Sequence, residues 1–151
     1  MIRPYIRKVQ YYETDMMGIT HHANYIRWME EARIDFMDQI GFPYAEMEKK
    51  GVVCPVRSLS CDYKRPSTFG DEISILLSAG SFNGVVLTIL YEMRNKAGDV
   101  ICTARSEHVF LDREGHLIRM KRDMPDFCAA IEALIQKTEN QDKHNKENCK
   151  S

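Results

Sequence analysis

The sequence predicts an α+β domain in which one long helix is wrapped by a curved antiparallel sheet of about five strands. Three observations carry that reading. Apolar residues recur at a helical period over one long stretch, residues 24–40, and afterwards alternate segment by segment with the period of two that marks half-buried strands. Turn residues punctuate those segments. Finally, a sheet with one apolar face needs a cover, and a single long helix is available to provide it.

Residues 2–13 are rich in β-branched and aromatic side chains (Ile6, Val9, Tyr11, Tyr12) and read as a first strand, followed by a turn over 14–22 around Gly18. In the helix, Tyr25, Trp28, Met29, Ala32, Phe36, Met37 and Ile40 trace one face, while Glu30, Glu31, Arg33, Asp35 and Asp38 mostly take the other. Gly41 ends it, with Pro43 just beyond. After a short connector with helical character (44–50), strands are expected at 52–64, 72–79, 85–95 and 100–111, with Asn83-Gly84 a strong hairpin signal. Ile73, Ile75 and Leu77 alternate with Glu72, Ser74 and Ser78, and Val85, Leu87, Ile89, Tyr91 and Met93 repeat the pattern. A short amphipathic helix over 124–137 begins near Pro125. A curved sheet of this kind leaves an edge to protect, so pairing with a second copy is expected.

Composition narrows the possible functions. The length of 151 residues fits one domain and rules out two catalytic ones. Lys and Arg number 21 against 22 Asp and Glu, so no basic nucleic-acid footprint is present. No apolar run is long enough for a membrane helix and no secretory signal opens the chain, which makes the cytoplasm the expected compartment. The mean hydropathy of -0.42 owes part of its polarity to residues 136–151, where Cys149 is the one apolar side chain. The folded domain is therefore expected over 1–135, with 136–151 as a polar, disordered tail. Five cysteines without a C-x-x-C pair argue against a disulfide framework and a cysteine-rich zinc site. Cys54 and Cys61, seven apart in an expected strand, should face opposite ways.

The densest group of reactive residues lies between the first strand and the helix. Asp15, Gly18, His22, Asn24 and Tyr25, followed by Glu31-Ala32-Arg33, together with Tyr63-Lys64-Arg65-Pro66 and Gly70-Asp71-Glu72-Ile73, resemble the acyl-CoA thioesterases of the hotdog fold, in the 4-hydroxybenzoyl-CoA thioesterase and YbgC-like group. The likeness spans about residues 3–120. It implies a protomer with a helix wrapped by a sheet, a homodimer or homotetramer, and an active site at the interface between copies. It further implies that Asp15 is the catalytic carboxylate and that the helix opening at His21-His22 polarises the thioester carbonyl. Physics agrees with that division, since orphan N–H groups and the positive end of the helix dipole lie where an oxyanion would develop.

Asp15 would act as general base on water or as a nucleophile forming a mixed anhydride. Other readings stand beside these roles. Asp15 also suits a turn, and His22 a hydrogen-bonded structural position. Asn24 is read as a helix cap or a substrate contact, and Tyr25 as core or acyl pocket. Glu31 faces the site or holds Arg33 or another basic group. Lys64 and Arg65 contact coenzyme A phosphates or are simply solvated, and Gly18 and His21 complete the expected substrate contacts. Adjacent His21 and His22 do not converge as metal ligands, so no metal is expected and no cofactor is required. The expected activity is hydrolysis of an acyl-CoA or acyl carrier protein thioester. The alternative is a non-catalytic acyl-thioester binding module or acyl-CoA sensor on the same fold, and a hydratase of the same fold is a third.

Overall fold

The computed structural model describes residues 1–149, and in it five strands form one antiparallel sheet in the order β1-β3-β4-β5-β2. These are β1 (Tyr5–Lys8), β2 (Val56–Tyr63), β3 (Glu72–Phe82), β4 (Leu87–Arg94) and β5 (Val100–His108). The long helix α1 (His22–Gln39) lies against the concave face, where Trp28, Met29, Ala32 and Phe36 are buried with Ile73, Ile75, Ile89 and Met93. Helices α2 (Tyr44–Lys49), α3 (Met120–Asp123) and α4 (Pro125–Asn148) complete the chain. The arrangement is the one expected, a sheet wrapped around a helix.

Irregularities in the ladders accompany the curvature. Register shifts between Ala79 and Ser81, between Val56 and Ser58, and between Met93 and Arg94 interrupt regular pairing, and such bulges increase local twist. At the first of them Gly80 is closely packed, since a Cβ there would crowd Leu90 Cγ at 3.2 Å and Thr88 Cγ2 at 3.3 Å and make those side chains shift. The bulge in β2 also changes the parity of side chains upstream. Cys54 and Cys61 therefore both pack against the core rather than facing opposite ways.

Two further expectations are corrected. The first strand is short because the chain turns inward at Tyr11–Glu13, a single 3₁₀ turn closed by Gln10 N–H donating to the Glu13 carboxylate at 2.8 Å. The tail differs more. After packing through Phe127, Cys128 and Ile131, α4 runs on as helix to Asn148 with every side chain from 139 to 149 exposed. Its Gln, Lys and Glu residues are good helix formers, so the helix extends beyond its apolar face without a core to cover. Residues 150–151, the end of that expected tail, lie outside the described residues.

Beneath the far half of α1 the core contains a closed polar chain. Arg33 Nη1 donates to Tyr91 Oη at 3.1 Å, Tyr91 Oη and Ser106 Oγ share a hydrogen bond of 2.6 Å, and Ser106 Oγ meets His108 Nε2 at 2.7 Å. All but Tyr91 are polar residues drawn deep into an apolar layer, and two atoms, Arg33 Nε and His108 Nδ1, have no protein partner. Burial, with the Arg33 charge adding to it, pushes the His108 imidazole down to about 4, so the ring is neutral at pH 7.

Candidate active site

One buried carboxylate shapes the loop between β1 and α1. Glu13, only 2% exposed, accepts Trp28 Nε1–H at 2.7 Å and Arg7 Nη2–H at 3.1 Å through Oε2. Its carbonyl accepts the His21 N–H and the Asn24 side-chain amide, each at 2.8 Å. The loop is thereby drawn onto the first turn of α1. A bridge pairs Thr14 with Thr20, and Asp15 N–H donates to the Ile19 carbonyl at 2.9 Å, which leaves residues 15–19 as the tip of a narrow hairpin. Gly18 closes the turn with N–H donating to the Asp15 carbonyl at 3.0 Å, and its φ of +76° is one that glycine adopts without strain. On the other flank, Thr20 and Ser67 share a hydroxyl hydrogen bond of 2.7 Å, and the Thr68 hydroxyl donates to the Gly18 carbonyl at 2.8 Å.

Within this frame the Asp15 carboxylate is half engaged. Oδ1 accepts the Met17 N–H at 2.8 Å, while Oδ2 takes no hydrogen bond from the described residues. The first turn of α1 lies alongside. His21 is its N-cap, with Nδ1 accepting the Ala23 N–H at 3.1 Å, and its carbonyl accepts the Asn24 N–H at 3.0 Å. The His22 N–H, at the positive end of the helix, has no acceptor among the described residues. The rings of His21 and His22 stack with centroids 4.2 Å apart and are both exposed. Tyr63 Oη donates to the His22 carbonyl at 3.1 Å, and burial raises its phenol to about 12, which keeps that donor protonated at pH 7.

The expected site residues divide into two sets. Asp15, Gly18, His21 and His22 come together around the hairpin and the helix start. Asn24 is buried with its amide committed to Glu13, so it neither caps the helix nor faces open solvent; His21 takes the cap because Glu13 draws the chain in one turn earlier. Tyr25 is core: it is 3% exposed, hydrogen-bonds Ser67 Oγ at 2.9 Å and packs on Trp28, and burial raises its phenol. Glu31 accepts Arg7 Nε–H at 3.0 Å and Tyr5 Oη–H at 3.1 Å, so the basic group it holds is Arg7, not Arg33, and Arg7 joins it to Glu13 of the loop. Lys64 and Arg65 follow β2 as exposed side chains, and Arg65 approaches Asp99 at 3.6 Å.

The sequence motifs give no role to Glu13, Arg7 or Ser67, and they mark Tyr63 without its contact to α1. A usable signal existed for the first: a core tryptophan needs an acceptor for its indole N–H, and Glu13 is an acidic residue in the turn that leads into the helix carrying Trp28. Around the loop, Tyr12, Met16 and Met17 stand in solvent, Met17 at 79% exposure, while Asp15 itself is half-buried. The group with metal-ligand spacing among the described residues is elsewhere, at Asp112, Glu114 and His116 in an exposed turn, where Asp112 Oδ1 already caps the backbone N–H groups of the other two.

Chemically, a carboxylate with one free oxygen in the hairpin and an unfilled N–H at the helix start that follows it offer a base or nucleophile and an oxyanion donor. Known proteins similar to this chain carry thioesterase names. Residues 9–133 match the Thioesterase-like superfamily. A Bacillus subtilis (strain 168) protein, YneP, provisionally named an acyl-CoA thioesterase, is 37% identical over 126 residues, which cover 83% of this chain and 91% of that one. The acyl-CoA thioester hydrolase YbgC of Escherichia coli O6:H1 is 25% identical over 105 residues, covering 70% and 78%. A solved DHNA-CoA thioesterase from Staphylococcus aureus superposes with a TM-score of 0.86 at 29% identity, over 92% of this chain and 93% of that one.

Proposed function

The chain belongs to the thioesterase-like superfamily, a group of hotdog-fold thioester-cleaving enzymes, and from that premise we propose that it hydrolyses acyl-CoA thioesters to a free carboxylic acid and coenzyme A. Asp15 is the catalytic carboxylate, and the carbonyl is polarised at the start of α1 by the His22 N–H. The observation that carries this reading is the Glu13 carbonyl, which holds the Asp15 hairpin and the first turn of α1 on a single acceptor.

In the reaction a C–O bond forms and the C–S bond breaks, and the leaving thiolate takes a proton. Asp15 Oδ2 either removes a proton from the attacking water or itself attacks, giving a mixed anhydride that water cleaves. Charge developing on the carbonyl oxygen meets the His22 N–H and the helix dipole, and removing one such donor usually costs about 2.7–4 kcal/mol of barrier. The names of the relatives support coenzyme A as the carrier, and a thioester on acyl carrier protein has the same reacting bond.

The working unit is a homodimer or homotetramer. Strand β2 has β5 on one side and no strand on the other, and the exposed Met16 and Met17 beside Asp15 are apolar surface that a second copy would cover. The compartment is the cytoplasm, a reading supported by five unpaired thiols. The test is release of free thiol from a panel of acyl-CoAs. The wild type is expected to turn over, with Asp15→Asn at least about 100-fold slower. Binding of acyl-CoA without thiol release would favour a sensor, and full activity in Asp15→Asn would reject Asp15 as the catalytic group.

A further inference from the structure

At the opposite end of α1 the sheet is incomplete. Strand β1 pairs only with Glu72–Ile75 of β3, and among the described residues no strand lies beside 76–82 on that side. The chain before β1 does not continue the ladder because Gln39 takes it instead: Arg3 N–H donates to Gln39 Oε1 at 2.8 Å and Gln39 Nε2 donates to the Arg3 carbonyl at 3.1 Å. That two-point clasp is what a neighbouring strand would offer, and Asp35 accepts from Gln39 Nε2 at 2.7 Å to fix the amide. Ile2 is thus packed against the core while Met1 stands exposed, and α4 packs against β3.

What remains is a half-enclosed cleft of about 600 Å³, in the range of small-molecule sites. Phe36, Leu77, Ala79 and Leu134 make its apolar lining. Lys137, Thr138 and Gln141 supply polar groups from α4. Lys137 carries the one charged side chain of the lining and has no ion pair or hydrogen bond with any described residue. Phe36 lies fourteen residues along α1 from His22, about 21 Å at 1.5 Å per residue, so the cleft is separate from the Asp15 hairpin.

We propose that this cleft is a second, non-catalytic ligand site for a carboxylate amphiphile, a free aliphatic or aryl-aliphatic acid whose apolar body lies on Phe36, Leu77 and Leu134 and whose carboxylate meets Lys137. Charge selects the class. A cationic amphiphile would meet Lys137 with no carboxylate in the lining to offset it, and a neutral one would gain nothing from the exposed ammonium. The assignment stands on the cleft alone and does not depend on the hydrolase reading, although a carboxylic acid is also the product class of that reaction.

The test is titration of the full chain with decanoate and with decylammonium, followed by calorimetry and by the methyl NMR signals of Leu77 and Leu134. Decanoate is expected to bind saturably and to shift both methyl groups, in wild type and in Asp15→Asn alike. Lys137→Glu is expected to weaken decanoate at least about tenfold and to admit decylammonium, while Lys143→Glu, on the exposed part of the same helix, changes neither. Lys137→Glu is expected to keep wild-type turnover. The proposal is overturned if decanoate fails to saturate, if its affinity is unchanged in Lys137→Glu, or if its shifts are confined to residues around Asp15. A change in oligomeric mass in Lys137→Glu would make the cleft a seat for a second copy and would overturn it as well.

Discussion

The two halves of α1 hold polar groups in opposite ways. At its start, His21, His22 and the Asp15 hairpin face solvent, and valences are left open: Asp15 Oδ2 and the His22 N–H take no partner from the described residues. Farther along, Arg33, Tyr91, Ser106 and His108 form a closed chain of hydrogen bonds under the helix, with His108 at 1% exposure. One helix therefore carries a place where chemistry can happen and a place where polar groups serve packing. What separates them is water access, not residue type: each region contains histidine and a charged group, and each leaves polar atoms unfilled, Arg33 Nε and His108 Nδ1 in the buried chain.

The largest effect expected from breaking this contrast is at the open end. Asp15→Asn keeps an oxygen for the Met17 N–H, so stability should stay within about 0.5 kcal/mol of wild type while turnover falls at least about 100-fold. Thermal unfolding and thiol release on the same samples check it. A drop in stability with turnover intact would make the open end structural and erase the contrast.

Next comes the closed end, read through pH. The His108 imidazole is at about 4 in the folded chain against 6.5 for an ordinary histidine, so the unfolded state binds a proton that the folded state refuses. Stability from this group is complete above pH 6.5 and is lost as pH falls to about 4, and at about 1.4 kcal/mol per pH unit the gap is worth roughly 3 kcal/mol. The groups facing the ring are Arg33, Ser106 and Cys54. Denaturant unfolding between pH 7 and 4 should show the loss, and His108→Gln should flatten its share of it. Arg33→Met, which removes the nearby positive charge, should narrow the window by raising the imidazole. An unchanged slope in His108→Gln would mean that the ring is not held neutral in the fold.

Glu13 links the two regions, because its side chain is sealed in the core while its carbonyl sets the open site. Glu13→Gln replaces one acceptor oxygen with a donor that faces either Arg7 and the Trp28 indole together or the Gln10 N–H, and about 2 kcal/mol of stability should be lost. If the hairpin depends on it, turnover measured well below the unfolding temperature should fall about tenfold with the change mostly in kcat. Lost stability with unaltered kcat would confine Glu13 to the core.

Much of this was legible in the chain, for identifiable reasons. The period change after Gly41 reported the long helix and the strands because burial on one face imposes it, and the cluster from Asp15 to Tyr25 marked the place where α1 begins. Roles within the cluster were harder. Asn24 looks like a cap in sequence, yet a carbonyl eleven residues earlier claims its amide, and only the folded loop brings the two together. Glu31 could have met either of two arginines, and the pairing of β1 with β3 decided for Arg7. Helix α4 ran past its apolar stripe because helix propensity continues where packing stops, a distinction that hydrophobic patterning does not register.

The smallest effect tests how tightly the open end is built. Tyr63 on the edge strand β2 donates to the His22 carbonyl, and its ring packs edge-on to His22 and to Tyr25, with centroids 6.3 and 5.1 Å away. Tyr63→Phe keeps the ring contacts and removes the hydroxyl from a half-exposed position where water can replace it, so the stability cost should be about 0.5 kcal/mol or less. A fall in turnover of about twofold or less is expected, because the carbonyl of His22 points into the helix ladder and the N–H assigned to the oxyanion is untouched. A fall of tenfold or more with normal stability would instead make the edge strand part of the catalytic frame. In that case the open end of α1 would owe its geometry to β2, and any second copy that pairs with that strand would act directly on the site.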